Sequence, residues 1–229
     1  MTTLSRALFA EFIGTAMLLA AVVGSGIMGQ ALSQGNDGIT LLANAGATAA
    51  MLYVLIVIFG PISGAHFNPA VTISMRLRGD LDNRATVSYV VVQVVAAVAG
   101  VALAHAMFGM PLVQSSLHVR TGWSQWGSEA AATFGLVLTI FLGARYRPAS
   151  VPALVASYIF AAYWFTASTS FANPAVTVAR ALTGTFAGIR LVDVFGFVAS
   201  QLLGAMAAIG CVKALLPLGD SPGASSSVS

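Results

Sequence analysis

Charged residues are so sparse along this chain that its apolar positions fall into long unbroken runs. Uncharged stretches cover 12–36, 38–75, 85–119, 130–144, 148–179 and 194–212. A helical membrane crossing needs about 20 mostly apolar residues. The six stretches therefore predict six spans, near 6–29, 39–60, 85–108, 128–145, 151–167 and 192–215. Two of them, 38–75 and 148–179, are too long for one span and too short for two. In each, a run sufficient for one helix gives way to Gly, Pro, Ser and Asn while charge stays absent: ISGAHFNPAV at 62–71 and TSFANPAV at 169–176. Irregular backbone at membrane depth is tolerated only when it is buried in protein or lines a wet cavity. Each stretch is thus expected to hold one full span and a re-entrant segment that returns to the side it left.

Composition narrows the class further. Of 229 residues, 58% are hydrophobic and 7% charged, against about 25% charged in an ordinary soluble domain. So few charges cannot cover the surface of a soluble enzyme or nucleic-acid binder, and the chain is too apolar to be disordered. The net charge of +3 is spread over the whole length with no basic run, so no nucleic-acid partner is expected. A single cysteine, Cys211, excludes an internal disulfide, and no cofactor or metal is implied. The N-terminal 30 residues are not read as a cleaved leader: Glu11 interrupts the apolar run, which continues to Met28, longer than the roughly 7–15 residues of such segments.

Arg6, Arg76, Arg78, Arg84, Arg145, Arg147 and Lys213 fall on one side of a six-span layout, and Arg120, Arg180 and Arg190 on the other. This bias predicts both termini in the cytoplasm. Trp123 and Trp126 are placed in the outer connection before span four, as interfacial aromatics. The Gly, Ser and Pro tail from 217 to 229 is expected to be disordered, leaving one unit over 1–216.

The pentapeptide NPAVT occurs at 68–72 and again at 173–177. Glu11 and Thr15 recur as Glu129 and Thr133, and Gln93 recurs as Gln201 with Gly204 and Ala205 beyond it. The chain is therefore read as two repeats, about 5–110 and 125–216, of three spans each. Three is odd, so the second enters the bilayer inverted, an arrangement that puts sites at the repeat interface near the midplane.

Asn before Pro is a helix-start signal: Asn caps well, and Pro suits the first helical position because its missing N–H had no partner anyway. Helices should begin at Pro69 and Pro174 and run two or three turns, to Arg76–Gly79 and Arg180–Gly184. Two such half-helices meet N-terminus to N-terminus, each carrying about +0.5 of a charge, and together repel cations. Asn68 and Asn173 would cap with the side-chain oxygen and turn their amide N–H groups to the lumen. A water giving both lone pairs to those donors cannot accept a proton along the file. The unwound residues before each Asn (Gly64, Ala65, His66 and Phe67; Ser170, Phe171 and Ala172) are expected to line the lumen with carbonyl acceptors. Ala70 and Ala175 complete the two Asn-Pro-Ala boxes.

These paired boxes, the SGAHFNPAV segment, the Glu-x-x-Gly-Thr of span one and the Gln-plus-small-residue helices resemble the aquaporin and aquaglyceroporin family over residues 5–215. The resemblance implies an all-α polytopic membrane protein with six transmembrane helices, two re-entrant half-helices and one pore per subunit of a homotetramer. It also implies that Glu11 and Glu129 accept hydrogen bonds from the re-entrant backbones; interfacial carboxylates at helix ends are the alternative.

The family's outer selectivity ring, counted without gaps from the two asparagines, falls on Thr48, Ala161, Ser170 and Val176. Water-selective members carry an aromatic, a His, a small residue and an Arg there; glycerol-passing members carry aromatics and a Gly and keep the Arg. Val176 stands where that Arg is found, as in bacterial members linked to arsenic resistance. The ring is therefore expected to be wide, uncharged and partly apolar. It would suit water, glycerol-like polyols, arsenite and methylated arsenicals; a water-selective channel is the alternative. Arg180, one turn beyond Val176, is a candidate vestibule charge, or else caps its half-helix or snorkels to headgroups.

His66 is either a lumen ligand or a structural hydrogen-bonding residue, and His105 a buried or interfacial one. Gly14, Gly100 and Gly204 read as close helix contacts. A secondary transporter would need a coupling-ion site, and the deep carboxylates are only Glu11 and Glu129. An intramembrane hydrolase using Ser63 or Ser170 with His66 or His105 leaves the repeat unexplained and lacks a Gly-x-Ser-x-Gly elbow.

Overall fold

The computed structural model describes residues 3–216 and is all-helical over them. The tail expected from 217 onward lies outside the described residues. Six helices are long and apolar enough to cross a membrane: α1 (Thr3–Leu32), α2 (Asp37–Ser63), α4 (Asn83–Met107), α5 (Trp123–Tyr146), α6 (Val151–Phe165, entered through a 3-10 turn at Pro148–Ser150) and α8 (Val194–Leu215). Two short helices, α3 (Pro69–Arg78) and α7 (Pro174–Arg180), start at the prolines of the repeated pentapeptide. The helix boundaries follow local chemistry. Asn36 and Asp82 accept from the N–H groups of Ile39 and Ala85 to cap α2 and α4, and Gly64 ends α2 at φ 86°, a left-handed turn that glycine adopts without a Cβ penalty. One boundary differs from expectation. Trp123 and Trp126 belong to the first turn of α5, edge to face at 5.4 Å, rather than to the preceding connection. Gly122 at φ 104° turns the chain just before them, which lets the helix begin early.

Within each half the first span packs on the third, α1 on α4 and α5 on α8, and α2 against α6 joins the halves. Two glycines permit the close pairs. A Cβ on Gly100 would collide with the Ala16 carbonyl of α1, and a Cβ on Gly204 with the Ala130 carbonyl of α5. Lipid supplies no hydrophobic force between helices, so such backbone contact is what holds them. Gly14 serves a different end: the space its Cβ would fill holds the ring of Phe67, so it seats the re-entrant loop rather than a second helix.

The re-entrant segments carry strain. Ala65, Phe67, Thr169, Ser170 and Ala172 all have φ between 47° and 60°, and a left-handed conformation costs a residue with a Cβ about 1–2 kcal/mol. Alternation of left-handed with ordinary residues makes successive N–H groups converge on one point, a concavity that binds anions. The anions here are the buried carboxylates. Glu11 accepts from the N–H groups of His66 (2.9 Å) and Phe67 (2.7 Å), from Ser63 Oγ (2.7 Å) and from Gln93 Nε2 (2.8 Å). Glu129 accepts from Phe171 N–H and Ala172 N–H (both 2.8 Å), Ser168 Oγ (2.5 Å) and Gln201 Nε2 (2.6 Å). The glutamines also donate to Thr72 and Thr177 of the half-helices, at 2.8–2.9 Å. Each third span thus ties a first-span carboxylate, a re-entrant loop and a half-helix into one polar unit.

Two outcomes check this architecture. Gly204→Ala should lower the thermal midpoint of the detergent-solubilised protein, at a cost of about 1–3 kcal/mol for overpacking. Gly210→Ala on the same helix, with no atom within 4 Å of the added methyl, should leave it level or raise it. Glu129→Gln should be more damaging. Its amide nitrogen faces donors that had an acceptor, leaving one or two buried groups unpaired at about 1–3 kcal/mol each. A wild-type yield of folded Glu129→Gln protein would contradict the role given to the carboxylate.

Candidate functional site

The two half-helices meet head to head. Asn68 and Asn173 have extended backbones (φ −156° and −157°), and their side-chain oxygens accept from Ala70 N–H, and from Ala175 and Val176 N–H, as N-caps. Their amide nitrogens reach across the repeat boundary. Asn68 Nδ2 donates to the Ala172 carbonyl and Asn173 Nδ2 to the Phe67 carbonyl, each at 2.7 Å. This pair of crossed bonds fixes the separation of the two positive helix ends and corrects two expectations. One N–H of each amide is committed to the protein, so each Asn keeps one donor for the lumen, not two. The Phe67 and Ala172 carbonyls each spend a lone pair on that bond.

The other loop carbonyls are directed by the same geometry that serves the glutamates. A trans peptide sets its C=O opposite its N–H. The N–H groups of His66 and Phe67 point at Glu11, so the carbonyls of Ala65 and His66 point away from it; Ser170 and Phe171 stand in the same relation to Glu129. Those four residues line a single cavity of about 100 Å³, together with Gly64, Phe67, Asn68 and Asn173. Apolar side chains complete it: Leu18, Val22, Leu52 and Ile56 from the first repeat, Leu136, Ile140, Val155 and Ile159 from the second. The cavity is a mostly greasy tube with one polar seam. The His66 ring shares a 3.1 Å hydrogen bond with Thr72 Oγ1 and lies 5.3 Å from the Tyr89 ring. Of the sequence alternatives for His66, the structural bond is the one present, on a residue that also borders the lumen.

The outer ring differs from the ungapped count. Thr48, Ser170 and Val176 line the cavity, but Ala161 does not: it is exposed on the outside of α6. Tyr163 takes its place, 3% exposed, with its hydroxyl 3.3 Å from Thr48 Oγ1. Two residues along a helix is about 200° of rotation, so the miscount turned the position to the opposite face. The signal was present in the sequence as a stripe at spacing four, Val155, Ile159 and Tyr163, ending in a hydroxyl. A ring of Thr48, Tyr163, Ser170 and Val176 is not free of aromatics.

Arg180 neither caps α7 nor reaches the headgroups. It is 1% exposed, its guanidinium lies 3.4 Å from the centre of the Phe171 ring, and its Nε donates to the Ala187 carbonyl. Residues missed by sequence reasoning hold this arrangement. The connection between the halves runs back to the end of α7 and bonds the segment after it, through Gln114 N–H to the Leu182 carbonyl, Ser116 N–H to the Ala181 carbonyl and Arg190 N–H to the His118 carbonyl. Arg120 on that connection donates to the carbonyls of Gly188 and Ser168, and its backbone N–H to Asp193. His105 is buried beneath it, sharing hydrogen bonds with Thr183 Oγ1 (2.8 Å) and the Leu112 carbonyl (3.0 Å).

Comparison with known proteins accords with this geometry. The model of the major intrinsic protein family matches residues 1–167. The chain is 55% identical over 213 residues to aquaglyceroporin AqpS of Rhizobium meliloti (strain 1021), covering 93% of this chain and 91% of that protein. It is 34% identical over 142 residues to aquaporin PIP2-7 of Arabidopsis thaliana, 59% of this chain but about half of that protein (51%). The crystal structure of the aquaglyceroporin from Plasmodium falciparum superposes with a TM-score of 0.73, covering 90% of this chain and 94% of that one. At 17% identity that likeness concerns the fold. On a family model that spans most of the chain and a relative more than half identical along nearly all of it, the protein belongs to the major intrinsic protein family.

Proposed function

We propose that this protein is a passive channel for water and small uncharged solutes. The observation that carries the reading is the crossed pair of bonds from Asn68 to Ala172 and from Asn173 to Phe67, with both asparagines bordering one cavity shared by the two repeats. A lumen at this depth faces two helix N-termini, which raise the energy of any cation. It offers a neutral hydroxylated solute one amide N–H from each Asn and the carbonyls of Ala65, His66, Ser170 and Phe171 in place of its hydration. The apolar wall opposite accepts the carbon skeleton.

The solutes of this reading are glycerol-like polyols, arsenite and methylated arsenicals besides water. Val176 supports it. In place of a long cationic side chain at the first turn of α7 stands a small apolar one, and the space it leaves favours bulkier molecules. A relative bearing the name aquaglyceroporin, at 55% identity, points the same way. The protein acts as a homotetramer in the bacterial inner membrane with both termini in the cytoplasm. The basic residues fall seven to three on the two sides of the six-span layout, which supports this orientation. A secondary transporter gains no support, since both deep carboxylates are consumed in holding the loops.

In proteoliposomes the protein should raise water and glycerol permeability with a lower activation energy than bare vesicles, independent of any ion gradient. Uptake that follows an imposed proton or sodium gradient would favour the transporter. Val176→Arg should cut permeability to glycerol and larger solutes by about tenfold or more while water falls by less than about threefold, since a side chain in a constriction excludes by size first. Equal loss of both would count against the ring.

A further inference from the structure

Two buried polar atoms in the outer mouth have no partner within the protein: Arg180 Nη1 and Ser170 Oγ. Both residues are at most 2% exposed and both line the same cavity. An unpaired buried guanidinium N–H or hydroxyl is unfavourable unless something in the cavity bonds to it. Thr15 Oγ1, Gln93 Oε1, Gln125 Oε1, Trp126 Nε1 and Gln201 Oε1 are unpaired as well, but none of those residues lines the cavity, so Arg180 and Ser170 are the two with an occupant to face.

The geometry points to Arg180 as the specificity-determining donor of this channel, acting with Ser170 to bind an oxygen of a passing neutral hydroxylated solute and with its charge to bar cations. The inference rests on the channel reading above. Arg180 reaches the lumen from one turn farther along α7 than Val176, and its head is fixed in three ways. Nε is bound to the Ala187 carbonyl, the guanidinium plane is over the Phe171 ring, and Phe171 itself is pinned edge to face on Phe197 at 5.1 Å and by its N–H on Glu129. With Nε and the plane held, Nη1 has a defined position, and a planar guanidinium fork so held loses little freedom on binding. The Tyr163 and Thr48 hydroxyls, 3.3 Å apart, line the same cavity as a second polar pair, and Val176 adds an apolar side chain to its wall. A solute with a hydroxyl face and a carbon face has both sides met at one depth. The displacement by a turn is what allows a small Val176 and a cation barrier in the same mouth.

Wild-type protein and three variants, Arg180→Leu, Arg180→Lys and Ser170→Ala, would be reconstituted in proteoliposomes and assayed for water, glycerol and potassium flux. Arg180→Leu should raise potassium flux by about tenfold or more, because the cation that lines the cavity is gone; Arg120, also over Phe171, does not line it. Arg180→Lys should keep potassium out, since its charge remains, yet lower the glycerol-to-water permeability ratio. Ser170→Ala should lower that ratio by about fivefold, the factor for one hydrogen bond, with potassium still excluded. Potassium flux of Arg180→Leu within about threefold of wild type, in vesicles that still conduct water, overturns the inference. Should Arg180→Leu not fold, Ser170→Ala decides alone: a wild-type glycerol-to-water ratio overturns the inference. If wild-type vesicles conduct neither water nor glycerol, the channel reading itself fails, an outcome distinct from either of these.

Discussion

Everything in this fold depends on satisfying non-helical backbone inside a bilayer. Hydrocarbon offers no partner for a free N–H or C=O, so two unwound segments at membrane depth can exist only if the protein supplies every bond they lack. Glu11 and Glu129 supply the acceptors. Each is fully buried, and each gathers two backbone N–H groups, a serine hydroxyl and a glutamine amide. The left-handed residues that bring those N–H groups together would be unfavourable alone; charge-assisted bonds of about 1.5–3 kcal/mol each offset them.

The consequence for the lumen is directional. Because a peptide carries its two polar groups on opposite sides, anchoring the N–H edge to a carboxylate turns the C=O edge inward. Binding chemistry for solute is thus a by-product of structural anchoring. The asparagines close the system: capping uses the side-chain oxygen, one amide hydrogen crosses to the other repeat, and one donor is left on each. Two helix ends of like sign are held together by those crossed bonds and by the packing of α3 on α8 and of α7 on α4.

The region beyond α7 obeys a different logic. There the connection between the repeats folds back over the segment following α7, and arginines rather than glutamates do the tying. Arg120 and Arg180 both lie over Phe171, at 4.9 and 3.4 Å from its centre, an arrangement in which the electron-rich ring face eases the crowding of two cations.

Much of this was legible beforehand, for a physical reason: in lipid, charge is so costly that its absence marks every crossing, and the Asn-Pro pair announces a helix start wherever it falls. Spacing and repetition therefore determined six spans, two half-helices and the inverted pairing of Glu11 with Glu129. Three of the departures show what was not legible. Trp123 joined α5 because Gly122 turns the chain just before it. Tyr163, not Ala161, faces the lumen because counting residues across an irregular loop cannot keep helical phase. Arg180 went inward because a connection more than sixty residues earlier in the chain folds over α7, and because the Ala187 carbonyl and the Phe171 ring lie where its head can reach them. Local periodicity reports on neighbours three or four residues away; which side chain meets which across the lumen is decided only when distant segments pack.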